Sequence, residues 1–283
     1  MSEKETINLG EAGHASLWYP GEKIGYLGNF FAQSQEIANE LLTIAQDRFT
    51  VNGVSTIYGP INGSTWNQYR FVTSGFTNKP FLFEPFNPES YPKSFLEFGF
   101  ETAASYESSI LKTQEKYNHS QINLAPNIEL CPFNQEKALI ELESMYEVAI
   151  SSFADNFLYS DISKQEFIDK YKPLLASLDP RLVILAKDGK GKLAQTVGFM
   201  FAIPYDFSRN CRTVVLKTLC RLKGEQYKGL GLALTSACHQ SAHNIGYTRA
   251  VHALYKTNGA SAVISNSQQS KVLRKYSLFK KCI

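Results

Sequence analysis

Gln226-Tyr227-Lys228-Gly229-Leu230-Gly231 sets two glycines one residue apart, where a strand-like run gives way to a helical one. Residues of that kind in that place suit a phosphate. The first turn of a helix presents unpaired N–H groups and the positive end of the macrodipole. Glycines let a ligand reach the backbone with no Cβ in the way. Two phosphate-binding patterns fail on spacing. A dinucleotide fingerprint needs a third glycine where Leu234 stands and an acid about twenty residues on. A P-loop closes on Gly-Lys-Ser/Thr, where this chain has Gly231-Leu232-Ala233. What remains is Gln-x-x-Gly-x-Gly between a strand and a helix.

Titratable groups come next. His252, in the strand-like AVHALY, is the candidate general base, since an unperturbed imidazole titrates near neutrality. A buried structural histidine is the competing reading. His239 and His243 have the i, i+4 spacing of a zinc-binding H-E-x-x-H helix, but Gln240 replaces its glutamate, so no metal is expected. The five cysteines, Cys131, Cys211, Cys220, Cys238 and Cys282, never fall into C-x-x-C spacing and read as thiols of a reducing cytoplasm. Lys271, Arg274, Lys275, Lys280 and Lys281 gather near the C-terminus, the pattern of a solvated helix end.

The elements that must position these groups follow from periodicity. The first residues read as irregular up to the strand KIGYLGNFF. Ser34 then caps a helix carrying Ile37, Leu41, Leu42 and Ala45 on one face. VSTIYGPI, ending at Ile61, reads as a strand, Ser90 to Gly99 as a short helix, and FETAASYESSIL as another strand. Lys112 to Asn127 is polar and patternless, as a linker would be. Beyond it come the strand IELCPF, a helix over Asn134 to Phe157, and a second helix opened by the capping box Ser163…Glu166. Three hairpin-linked strands follow, RLVILAK, AQTVGFMFAI and TVVLKTLCRL. A helix from Leu230 stops at Gly246, and YTRAVHALY is a strand. Asn266 with Gln269 opens a final helix through Tyr276. Antiparallel hairpins with one crossover helix make this α+β with a mixed sheet.

Composition bounds the rest. The 283 residues are 43% hydrophobic and 13% aromatic, enough for a packed core. Twenty-nine basic against 26 acidic residues leave a charge of +3, too mild to suggest nucleic acid. No apolar run reaches membrane-spanning length, and the N-terminus carries no signal core, so neither membrane nor export is expected.

The glycine motif resembles motif A of the GNAT superfamily of acyl-CoA-dependent N-acyltransferases, Gln/Arg-x-x-Gly-x-Gly/Ala. The resemblance implies that Gln226, Lys228, Gly229, Leu230, Gly231, Leu232 and Ala233 hold the pyrophosphate of acetyl-CoA or another acyl-CoA. It implies that Cys220, Arg221 and Leu222 pair with the pantetheine arm, and that Asn266 lies beside the coenzyme. The basic C-terminal cluster could then meet the 3′-phosphate. NPESYPKSFLEFGF resembles the superfamily's motif B, and the whole chain resembles bacterial tandem-GNAT proteins. The domains implied are a partial, degenerate GNAT-like domain over 1–115 and a full one over 116–283. NFFAQSQE, at the first domain's helix start, has no Gly-x-Gly, so coenzyme binding belongs to the second.

The resemblance makes the expected function N-acetyl or N-acyl transfer to a small-molecule or peptide amine, with a homodimer left open. Such transfer needs a base, stabilisation of the oxyanion and an acid for the thiolate. TVVLKTLCRL lacks the carboxylate common in the superfamily. Arg274 takes the position of its acid tyrosine, with Tyr276 about 200° further round a helix. His252 and Tyr276 are the catalytic candidates. The alternatives are a non-catalytic acyl-CoA-binding or protein-interaction module that has lost both groups, and an aminoacyl-transferring enzyme, which the weak charge does not favour.

Overall fold

The computed structural model describes residues 4–113, 124–206 and 208–283. Most of the expected linker, 114–123, lies outside the described residues. The chain forms two compact units, Met1–Glu107 with Leu273–Ile283, and Ser108–Val272. Among the described residues no helix is long and apolar enough to cross a membrane.

The first unit begins with a correction. The N-terminal stretch, expected to be irregular, forms strands β1 (Lys4–Asn8) and β2 (Gly13–Gly21), paired antiparallel. β2 is buried on both sides from Ala15 to Trp18, so no alternation of polar and apolar residues marks it. It pairs with β3 (Ile24–Ala32). Ser34 caps helix α1 (Gln35–Val51), its hydroxyl accepting from the Ile37 amide at 3.3 Å. The helix buries Ala38, Leu41, Leu42, Ala45 and Phe49. It crosses over to β4 (Thr56–Gly59), parallel to β3. β5 (Phe71–Ser74), α2 (Ser90–Glu97) and the first part of β6 (Glu101–Lys112) follow.

The second unit opens with β7 (Ile128–Pro132), α3 (Ala138–Phe153) and α4 (Lys164–Ser177). The capping box at Ser163 and Glu166 is formed from both sides. β8 (Val183–Asp188), β9 (Gln195–Pro204) and β10 (Thr213–Arg221) pair antiparallel in turn. Helix α5 (Leu230–Asn244) then crosses to β11 (Arg249–Lys256), which is parallel to β10. Met200 and Ala202 pack with Leu230, Leu234 and Cys238 of α5. Phe201 points the other way, edge-on to Tyr171 of α4. The α+β class with a mixed sheet is as expected.

The C-terminus is the second correction. The final helix was expected to open at Asn266 and run through Tyr276. Instead α6 spans Ala260–Ser267 behind Gly259, which puts Asn266 in its last turn. Gln269 then adopts a φ of 55°, and Lys271–Cys282 form β12. Antiparallel pairing of β12 with β4 and β5 places residues from Leu273 onward in the first unit rather than the second. The branched and aromatic side chains of Val272, Tyr276 and Phe279 favour that extended form.

Candidate functional site

The site is built where β10 and α5 meet. Two strands that pair in parallel normally share a continuous ladder, but β10 and β11 share it from Thr213↔Arg249 to Leu216↔His252, where it stops. A bulge between Leu216 and Thr218 breaks the register of β10 on its β9 side too, after which that pairing resumes and runs to Arg221↔Gly198. Two residues beyond His252, Leu254 takes a φ of 57° and turns β11 aside. Its amide donates to Oγ of Ser108 at 3.0 Å. From Lys217 to Arg221 one edge of β10 has therefore left the ladder to β11.

Cys220, Arg221 and Leu222 lie on this stretch. Cys220 is buried, and burial pushes its thiol well up. The Leu222 amide donates to the Val197 carbonyl at 2.8 Å, and Arg221 Nη1 donates to the Leu222 carbonyl at 3.0 Å.

The chain then rises through a single 3₁₀ turn, Glu225–Tyr227, into α5. Tyr227 anchors it, its hydroxyl donating to Asp188 at 3.2 Å. Gly229 is the N-cap, with φ 84° and ψ −15° and no side chain to close the helix. A side chain there would be strained by the left-handed backbone, although no atom stands within 4 Å of where its Cβ would lie. Gln226, Lys228 and Gly229 are exposed, Leu232 is half-buried, and Leu230, Gly231 and Ala233 are buried. A Cβ on Gly231 would come 3.3 Å from Cδ1 of Ile264, which sets α6 against the first turn of α5. Asn266 is exposed on α6, two residues further on.

The catalytic candidates fare differently. His252 is 6% exposed, with Nε2 2.8 Å from Nε2 of His239 and Nδ1 3.1 Å from Oγ of Ser265. Burial pulls its pKa down to about 4. Both ring nitrogens are engaged and burial disfavours the protonated form, the surroundings of a structural histidine rather than of an exposed base. Tyr276 stands on a strand of the first unit, where its hydroxyl donates to the buried carboxylate of Glu84. Arg274 pairs with the same carboxylate and with the carbonyls of Gly75 and Asn78. An acid role for Tyr276 at the α5 site loses its basis.

The basic cluster is likewise no helix end. Lys280 pairs with Glu101 at 3.1 Å, and Lys281 donates to the Phe98 carbonyl at 2.6 Å. His243 does not face His252. Its Nδ1 lies 3.4 Å from the Thr113 hydroxyl. The sequence reading missed the partnership of His239 with His252 and the serines around it. Nothing in their spacing announces that these positions converge.

No known family profile matches the chain, and no curated protein does. Solved structures share its fold. A GCN5-related N-acetyltransferase from Sphaerobacter thermophilus superposes with a TM-score of 0.59 at 10% identity, over 96% of this chain and 76% of its own. A GCN5-related glucosamine N-acetyltransferase region of a fungal multi-domain GH3 β-N-acetylglucosaminidase gives 0.58 at 13% identity over 95% of this chain, which spans 31% of that protein. A tandem GNAT protein from the clavulanic acid biosynthesis pathway gives 0.52 at 8% identity, over 99% of this chain and 83% of its own.

Proposed function

We propose that this chain, which has the fold of the GCN5-related N-acetyltransferases, transfers an acyl group from acetyl-CoA or another acyl-CoA to an amine. One observation carries the reading. Helix α5 starts behind a left-handed glycine with no side-chain cap, beside a strand whose edge has left its parallel partner. The free space over Gly229 fits a phosphate brought against the backbone. Gln226, Lys228 and the amides of Gly229 to Ala233 would hold the pyrophosphate, and the backbone of Cys220 to Leu222 would receive the pantetheine arm. The coenzyme supplies an acyl group already activated as a thioester. The chain supplies anchorage and orientation, and its acceptor is a small-molecule or peptide amine. We place the reaction in the cytosol, on the strength of the free cysteines. We also read the chain as a tandem, because β2-β3-α1-β4-β5-α2-β6 matches the succession β9-β10-α5-β11-α6-β12 apart from one added strand, β5.

A second reading has its own support. With no carboxylate on β10 and with His252 and Tyr276 committed elsewhere, a non-catalytic acyl-CoA-binding module fits the same site. Calorimetric titration with acetyl-CoA, followed by release of free thiol across a panel of small and peptide amines, separates the two. Binding with turnover supports transfer, and binding without turnover supports the module. No binding of acetyl-CoA or coenzyme A at millimolar concentration overturns both.

A further inference from the structure

The phosphate-binding turn is tied at its middle to the end of β8. Tyr227 is half-buried, whereas its neighbours Gln226 and Lys228 are exposed. Its ring packs against the cluster that holds Leu230 and Leu234 of α5. Its hydroxyl donates to Oδ2 of Asp188 at 3.2 Å, across 39 residues of chain. Asp188 is the last residue of β8, paired with Ile128 of β7 on one side and Gln195 of β9 on the other. Asn127 meets the same carboxylate, its Nδ2 donating to Oδ1, while its carbonyl accepts from the Gly189 amide at 3.0 Å. From within the turn, the Gln226 side chain reaches the Tyr227 hydroxyl. That side-chain amide lies over Gly224, where an added Cβ would stand 2.5 Å from Oε1 of Gln226.

We propose, resting on the acyl-CoA reading, that Asp188 and Asn127 are positioning residues for the phosphate site. Acting through the Tyr227 hydroxyl, they fix the turn from Gly224 to Gly229 and aim Gln226 before the coenzyme arrives. The backbone gives one reason. The turn runs between two left-handed glycines, with φ of 136° at Gly224 and 84° at Gly229, residues that restrain a chain least. A loop left to order itself on binding consumes part of the binding free energy, and one tied beforehand does not. Charge gives another. A carboxylate repels a pyrophosphate, so Asp188 has no place in direct contact with the coenzyme. Its two oxygens are met instead by the donors Tyr227 and Asn127. Burial, then that carboxylate, pushes the phenol up, which keeps it protonated and donating at neutral pH.

The test uses the full chain and two readouts, hydrogen exchange of the Tyr227 and Lys228 amides without ligand, and calorimetric affinity for coenzyme A. Both amides are bonded within the turn, to the carbonyls of Gly224 and Glu225. Tyr227→Phe keeps the ring and removes the hydroxyl. It should speed exchange of those amides and weaken coenzyme A binding, each about tenfold, the yield of one hydrogen bond to a charged group, while β8 and β9 stay protected. Asp188→Ala should do the same. Asn127→Ala should weaken binding in wild type, and neither change should add to the loss in Tyr227→Phe, since all act through one hydroxyl. Asp188→Asn keeps an acceptor, and Asn127 can turn its own amide to match, so binding should stay within about twofold of wild type. Unchanged exchange in Tyr227→Phe overturns the proposal, and so do additive losses in the double variants. A gain in affinity in both Asp188→Ala and Asp188→Asn also overturns it, because a carboxylate that merely repelled phosphate would give that sign. If Asp188→Ala does not fold, Tyr227→Phe decides: wild-type exchange or wild-type affinity in that variant overturns the proposal. Absent binding in wild type counts against the acyl-CoA reading alone, because the exchange comparison needs no coenzyme.

Discussion

Single residues decide whether the α5 site works. Gly229→Val puts a β-branched side chain at a φ of 84°, a strain of about 1–2 kcal/mol that a folded domain can absorb. The same side chain fills the space a phosphate needs, so affinity for acetyl-CoA should drop at least tenfold while the circular dichroism spectrum stays that of wild type. Undiminished affinity in the folded variant would remove the phosphate from this turn. His252 gives the second residue-scale outcome. Unfolded, its ring takes up a proton below about 6.5, whereas folded it does so only near pH 4. Between those values the unfolded state binds more protons, so stability is full above pH 6.5 and falls as pH drops towards 4, by about 3 kcal/mol in all. Urea unfolding at pH 7.5, 6 and 5 measures it, and equal stabilities would show that the ring is not held neutral. At this scale the sequence was legible where chemistry is local. Gly229 and Gly231 could be read because a turn and a helix start are made by neighbours in the chain. The surroundings of His252 were not legible because His239 and Ser265 reach it from two other elements.

Elements repeat that division. α1 and α4 were readable because Ser34 and Ser163 cap them within three residues of sequence. β2 escaped because burial on both faces erases its alternation, and β12 was mistaken for a helix because its pairing partners, β4 and β5, lie some two hundred residues earlier in the chain. The pairing of β12 is reinforced by Arg274 and Tyr276 on the Glu84 carboxylate, with Arg274 and Glu84 at most 5% exposed. Glu84→Ala leaves a buried guanidinium without its anion and should destabilise the chain by about 3–5 kcal/mol. Glu84→Leu with Arg274→Met removes both charges and should cost much less. Denaturant unfolding of the single and double variants checks the pair, and additive losses would show that the two charges do not depend on each other.

At the scale of the molecule, each unit has a helix crossing between parallel strands, and the two crossover helices start differently. α5 begins behind an uncapped glycine, whereas the Ser34 hydroxyl already occupies the Ile37 amide of α1. Calorimetry on the full chain should therefore give one acetyl-CoA per polypeptide, and Gly229→Val should reduce it to none. A stoichiometry of two would mean that the first unit holds a site of its own. The plan of the second unit was legible from its strand spacing, whereas the assignment of residues 273–283 was not, because no local pattern says which sheet a terminal strand will join.

That terminal strand also sets the order of events on the ribosome. The segment Met1–Glu107 emerges first yet lacks β12, which is translated after the whole of Ser108–Val272. The second unit can thus close while the nascent chain is still attached, and the first waits, with the β4 edge that β12 will cover still unpaired, until residues 273–283 have been made. Of the two units, the one begun first is finished second.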